Sequence, residues 1–214
     1  MLYAAIEWKG LPMTNTAKTL VIIAHPDLQN QSRVHRRWKE ELALHADEFD
    51  VRDLYALYPD NTFSEEDISI EQEALAAHDL IVFQFPIYWY HAPALLQNWF
   101  DNIYAFGWAY GGERANPGEP GRMLADKHFA VAVSAGDIEQ NYQAAGTVGF
   151  TPSEIIIPFR ATANYVGATC EEEPFILFGT ENNGLSDERL EESASAYITW
   201  LRTLRNNLSG QRIK

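Results

Sequence analysis

The chain has 214 residues, 46% of them apolar, enough to bury a core in one domain without disulfide or metal staples. Its net charge of -14 excludes nucleic acid and anionic membrane surfaces as partners, because both require a basic patch. A single cysteine, Cys170, excludes an intramolecular disulfide and a Cys-based zinc site; with no apolar run approaching ~18 residues and no signal peptide, the expected compartment is the cytoplasm.

Residues 1–18 have no hydrophobic period and are broken by Gly10-Leu11-Pro12, so they read as an N-terminal tail. Leu2, Tyr3, Ile6 and Trp8 are apolar enough to dock elsewhere, and the folded domain is expected over 19–214. Thr19 to Ala24 is a β-branched, continuously apolar run, as for a central parallel strand covered on both faces. A polar loop from His25 to Gln31 follows, with Ser32 as N-cap of a helix whose core face is Val34, Trp38 and Leu42. Phe49 to Leu54 alternates like a more exposed strand, Tyr55 to Phe63 reads as irregular, and Ser64-Glu65-Glu66-Asp67 has a capping-box start. Asp79 to Phe85 is a third strand, and Pro93 suits the first turn of a helix with Leu96, Trp99, Phe100 and Ile103 on its apolar face. Gly107 to Arg122 is a long Gly- and Pro-rich loop. Lys127 to Val133 is a fourth strand, Thr151 opens a helix to about Asn164, and Pro174 to Phe178 is a fifth strand. A last helix from Ser186 has the face Leu190, Ala194, Tyr197, Leu201, Leu204 and Leu208.

Five apolar strands alternating with helices predict an α/β fold with a parallel sheet. In such sheets ligands sit beyond the carboxyl ends of the strands, where loops 25–32, 86–92 and 134–142 should converge. The first loop delivers the chain into a helix N-terminus, a phosphate site or simply an N-cap loop. Tyr88-Trp89-Tyr90 reads as core packing, a dimer interface or a wall for a flat ring, and its place after a strand favours the wall. Ser134-Ala135-Gly136 brings a glycine where backbone can approach a ring edge; Tyr142, six residues after that glycine, is a hydrogen-bond donor or an ordinary loop tyrosine. The sequence contains no G-x-G-x-x-G, G-x-x-x-x-G-K-[ST] or G-x-S-x-G, so a polar loop holding a flavin mononucleotide phosphate fits better than a dinucleotide fingerprint or a P-loop. His35, His45, His78 and His128 read as solvated or internally satisfied, and none has the spacing of a metal ligand set.

The run Gln84-Phe85-Pro86-x-Tyr88-Trp89-Tyr90-x-x-Pro93-Ala94-Leu95-Leu96-x-x-Trp99-x-Asp101, closing with Gly107-x-Ala109-Tyr110-Gly111, resembles the flavodoxin-like NAD(P)H:quinone oxidoreductase family. That group takes in DT-diaphorase, modulator-of-drug-activity and general-stress reductases, and ancillary flavoproteins of potassium efflux systems. His25-Pro26 and Pro158-Phe159-x-Ala161-Thr162-Ala163-Asn164 add to the match. The resemblance implies a three-layer sandwich, a five-stranded parallel sheet in the order 2-1-3-4-5 with helices on both faces, and a homodimer with its active site at the interface. It implies FMN, or alternatively FAD, NAD(P)H as co-substrate and ping-pong hydride transfer to a quinone-like acceptor, or, as the alternative, a flavoprotein subunit with a membrane transporter as partner. By position, His25, Ser32 and Val34 would lie near the flavin phosphate or ribityl chain, and Pro86, Ile87, Tyr88, Trp89 and Tyr90 would line the ring. Ser134, Ala135 and Gly136 would meet its pyrimidine edge, Tyr142 would be catalytic, and Tyr88, Trp108 and Tyr110 would form the acceptor pocket, Tyr110 from the partner subunit. The chain departs from the pattern in a first loop one residue longer than usual, His35 for a usual Asn, His91 for a small residue and Arg160 for a Gln. Val148 stands where diaphorases carry a His, and the chain lacks their long C-terminal extension, which favours FMN.

Overall fold

A computed structural model describes residues 18–111, 119, 121–181 and 184–211. The expected tail, apart from Lys18, and most of the tip of the 107–122 loop lie outside them. The elements run β1 (Thr19–Ile23), α1 (Val34–Ala43), β2 (Phe49–Asp53), α2 (Leu54–Leu57), α3 (Glu65–Ala77), β3 (Leu80–Pro86), α4 (Ala94–Ile103), β4 (His128–Ser134), α5 (Pro152–Ile155), α6 (Ile157–Val166), β5 (Thr169–Cys170), β6 (Phe175–Leu177) and α7 (Asp187–Gln211). Every strand pair is parallel, and the order is β2-β1-β3-β4-β5, with β6 also beside β4.

The period of two along each central strand divides the core into two layers. Leu20, Ile22, Ile81, Phe83, Phe129 and Val131 point to the side covered by α3, α4 and α6, where they meet Leu75, Leu96, Trp99 and Ala163. Val21, Ile23, Val82, Ala130 and Ala132 point to α1 and α7. The small alanines of β4 leave room on that side for an aromatic stack, in which Trp38 lies 4.9 Å from Tyr197 and 5.2 Å from Phe175 between ring centroids. The Trp38 indole N–H donates to Ser193 Oγ at 3.0 Å, so burial leaves it no unmet donor.

Four local readings change. Helix α1 begins at Val34, and Ser32 Oγ accepts from the His35 amide at 3.0 Å, so its capping hydroxyl serves from one position outside the N-cap. Leu54, expected to end the second strand, and residues 55–57, expected to be irregular, form one helical turn capped by the Asp53 side chain. The expected single helix from Thr151 is two, because Pro158 has no N–H to give the Glu154 carbonyl and the chain re-starts at Ile157. The fifth sheet position is split: Thr169 and Cys170 pair with the start of β4, and Phe175 to Leu177 with its end. Between them the Glu171 amide still donates to the Phe129 carbonyl, and the chain leaves the ladder over Glu172, Glu173 and Pro174, the last having no N–H to continue it. The capping box at Ser64 and Asp67 is formed as read.

Candidate functional site

The carboxyl ends of β1, β3 and β4 carry the three expected loops, and they meet. After β1, His25 Nδ1 accepts from the Asp27 amide at 3.1 Å, which places the proton of the neutral ring on Nε2. Burial lowers the His25 pKa, opposed by the nearby carboxylates of Asp27 and Asp53. The loop is tied by Asp27 Oδ1, which accepts from the Asn30 amide and side chain, and by Arg36, which donates to the Gln29 carbonyl. It enters α1 with no acidic residue in the first turn, so the positive end of the helix is not neutralised locally. Ser32 is buried here. Val34 is not part of this polar rim: its side chain packs in the α1–α7 core layer, as a residue one turn before Trp38 must.

After β3 the chain makes a two-residue hairpin. Tyr88 and His91 exchange amide–carbonyl bonds of 3.0 Å in each direction, and the two central residues, Trp89 and Tyr90, have φ of 47° and 65°. Positive φ at both centres defines a type I′ turn, which ordinarily takes Asn-Gly. A tryptophan and a tyrosine hold these positions against steric preference, with His91 Nδ1 at 2.6 Å from the Trp89 carbonyl. Trp89 is 89% exposed, while Tyr88 and Tyr90 are each a little under half exposed. Trp89 therefore stands clear of the protein rather than lying on it. Pro86 closes β3 and is buried, and the Ile87 amide donates to the Ser134 carbonyl at 2.9 Å, fastening the hairpin base to the end of β4.

After β4, the Ala135 amide donates to the Leu177 carbonyl and the Thr180 hydroxyl to the Ala135 carbonyl. The Glu181 side chain lies over Gly136, so close that a Cβ there would sit 2.4 Å from Glu181 Cδ; any other residue would displace it. A single turn over Glu139–Asn141, held by Asn141 donating to Asp137, leads to Tyr142, which is buried against Phe178. Burial, then Tyr90, Asp137 and Glu181, raises the Tyr142 pKa and keeps the phenol protonated.

His35 was not singled out as a site residue by sequence reasoning, yet it joins the first loop to the end of β4. Its imidazole is 1% exposed, Nε2 lies 2.9 Å from Ser134 Oγ, and its ring centroid is 5.8 Å from that of His25. Burial, reinforced by His25, pushes its pKa down to about 3. The available signal was its place three residues after a capping Ser, on the helix face that turns inward. Tyr88 packs edge-on to His25 with centroids 6.5 Å apart.

Trp108, expected in the acceptor pocket, is instead buried in the core layer beneath α4, because the turn from Ala105 directs its indole inward. Tyr110 faces outward, 5.5 Å from Tyr165, and lines a groove of about 690 Å³ between α4 and α6 with Phe85, Tyr90, His91 and Phe159. The groove thus adjoins the hairpin. Large apolar side chains remain exposed on this side of the fold, among them Phe106, Ile157 and Tyr165.

A family model described as Flavodoxin-like fold matches residues 17–201. The chain belongs to this family. The fold class expected from the sequence, including the strand order, stands with it. Among flavodoxin-like relatives, the chain is 40% identical over 190 residues to the Bacillus subtilis protein named uncharacterized NAD(P)H oxidoreductase YdeQ, covering 89% of each. It is 38% identical to the glutathione-regulated potassium-efflux system ancillary protein KefG of Cronobacter sakazakii, over 88% of this chain and 95% of that one. In structure it is similar to general stress protein 14 of Treponema denticola, solved in complex with FMN. That similarity has a TM-score of 0.76 at 38% identity and covers 87% of this chain and 99% of the other. Among the described residues no helix is long and apolar enough to cross a membrane.

Proposed function

We propose that the protein is a flavin-dependent NAD(P)H oxidoreductase acting on quinone-like, nitro or azo acceptors, with FMN as the bound flavin. The observation that carries this reading is the convergence, at one sheet edge, of three unlike surfaces that FMN requires together. The His25–Ser32 loop and the α1 N-terminus offer an unneutralised positive end for the phosphate. The hairpin from Pro86 to Tyr90 offers apolar and aromatic area for the ring. Ser134 and the Ala135–Gly136 backbone, with the Glu181 side chain lying over Gly136, offer a close polar edge. The FMN complex of the Treponema denticola relative supports mononucleotide over FAD.

When bound, the flavin would supply two-electron hydride chemistry between NAD(P)H and the acceptor, in a ping-pong order. The protein's part is positional. Trp89 and Tyr90 present rings at the open side, and Tyr142 holds a proton at its phenol oxygen as a donor near the reacting ring. The acceptor pocket is completed in a homodimer, with the α4–α6 groove and its rim of Phe106, Tyr110 and Tyr165 facing a second copy. The enzyme works in the cytoplasm. Purified protein should show flavin absorption, bleach anaerobically with NADH or NADPH and recolour on adding a quinone; no bleaching with either nicotinamide would overturn the reading. Tyr165→Glu should convert a dimeric mass by light scattering to a monomeric one, and a monomeric parent protein would overturn the dimer.

The KefG likeness favours a second reading, a flavoprotein subunit attached to a membrane potassium-efflux transporter. It requires stable co-purification with such a transporter and an effect on transport that survives loss of turnover.

A further inference from the structure

His35 is fixed on every side. Its amide donates to Ser32 Oγ at 3.0 Å, its carbonyl accepts from Gln84 Nε2 at 3.3 Å, and its ring packs edge-on to Trp38 at 5.3 Å. These contacts come from the β1–α1 loop, the centre of β3 and the interior of α1, so the imidazole has one orientation. Its Nε2 meets the Ser134 hydroxyl, and Nδ1 has no hydrogen-bond partner among the described residues. A neutral imidazole there has two tautomers. With the proton on Nδ1, the protein would bury an N–H without a partner, the rarer and costlier defect. With the proton on Nε2, only a lone pair goes unmet, and Nε2–H donates to Ser134 Oγ. One of the two lone pairs of the Ser134 hydroxyl is then occupied, and its own proton is turned away from His35.

We propose that His35 is a positioning residue that, through the Nε2–H tautomer, locks the Ser134 hydroxyl as a hydrogen-bond donor to a ligand at the strand ends. The ligand half of this inference rests on the flavin reading; the tautomer half does not. Ser134 is the last residue of β4, and its carbonyl is already bound by Ile87 at the hairpin base, so the hydroxyl is the polar group it has left to offer. In this arrangement a buried histidine does not transfer a proton. It decides which way a serine points.

Two measurements test the two halves separately. In apoprotein labelled with 15N, the ring nitrogens of His35 should show a protonated Nε2 and a bare Nδ1 that do not titrate between pH 5 and 8. A proton on Nδ1, or a ring titrating in that interval, overturns the tautomer. Titrating apoprotein with FMN by fluorescence quenching, Ser134→Ala and His35→Phe should each weaken binding about five- to tenfold, the loss of one hydrogen bond. The double variant should be no weaker than either single one, and His35→Gln, which keeps a donor, should regain part of the loss. Additive losses, or undiminished affinity in Ser134→Ala, overturn the positioning role. Ser134→Ala removes only a hydroxyl and decides the matter even if His35→Phe does not fold. Parent protein with the stated tautomer but no affinity for FMN would overturn the flavin reading and the ligand half together, leaving the tautomer standing.

Discussion

Replacing Trp89 with asparagine separates what the hairpin costs from what it does. A non-glycine residue in the left-handed region is disfavoured by roughly 1–2 kcal/mol, and Asn is several-fold enriched there. Trp89 has φ of 47° in a turn whose type prefers Asn at this position. Its side chain is 89% exposed, so substitution forfeits about a tenth of a burial of ~250 Å², or about 0.6 kcal/mol at ~25 cal/mol/Å². Relief of strain should exceed that loss, and Trp89→Asn should stabilise the apoprotein by about 0.5–1 kcal/mol, raising Tm by roughly 1–3 °C. The same variant should bind FMN about three- to tenfold more weakly, the value of one aromatic stacking contact. Thermal unfolding of apoprotein and fluorescence titration with FMN read the two effects on one preparation. A lower Tm would refute the strain, and a higher Tm with unchanged FMN affinity would refute the idea that the strain is kept for the ligand.

Acid should destabilise the protein before its carboxylates titrate. His35 has a folded pKa of about 3 against roughly 6.5 in the unfolded chain, so its depressed value leaves stability complete above pH 6.5 and lost as pH falls. Between pH 6 and 4.5 the unfolded state holds about one more proton, a slope of about 1.4 kcal/mol per pH unit in urea-melt stability. His35→Phe should reduce that slope, leaving the share of His25, whose pKa burial also lowers, and the further fall below pH 4.5, where Glu48, held down to about 2 by hydrogen bonds from Arg202 and Arg205 against its desolvation, begins to count. Arg52→Met should cost about 3–5 kcal/mol in urea unfolding, because it strips the cation from Glu71, a carboxylate with no exposed side-chain surface. Tyr142→Phe should slow flavin reduction in anaerobic stopped flow with little change in FMN affinity, whereas Trp89→Ala should weaken FMN binding; an unchanged reduction rate removes Tyr142 from the chemistry.

The sheet was legible because continuous apolar runs such as Leu80-Ile81-Val82-Phe83 admit few other fates, and a parallel sheet dictates which loops share an edge. The aromatic run after β3 was legible as a candidate site and illegible as a shape: nothing in Tyr88-Trp89-Tyr90 announces a turn normally written Asn-Gly. Side-chain direction was equally hidden. Trp108 and Tyr110 look interchangeable in sequence, and only the turn from Ala105 sends one to the core and the other to the groove. His35 was hidden by a different cause. A histidine on an amphipathic helix is usually solvated, and its role depends on Ser134, a partner 99 residues away that no local pattern specifies.

The two features that sequence left unread bear on the same question. A strained hairpin and a desolvated histidine are both departures from local preference, and they flank one strand end: Ile87 binds the Ser134 carbonyl while His35 binds its hydroxyl. A fold selected for stability alone would place Asn-Gly in the turn and an apolar side chain at position 35. Local sequence rules are expected to fail where a site imposes its own geometry. Two such failures converge on Ser134, where hairpin, helix and sheet are held in register, as the proposed ligand site requires. The coupling this implies is measurable: the FMN-affinity losses of Trp89→Asn and His35→Phe should combine to less than their product, and independent, multiplying losses would show that the two devices serve different ends.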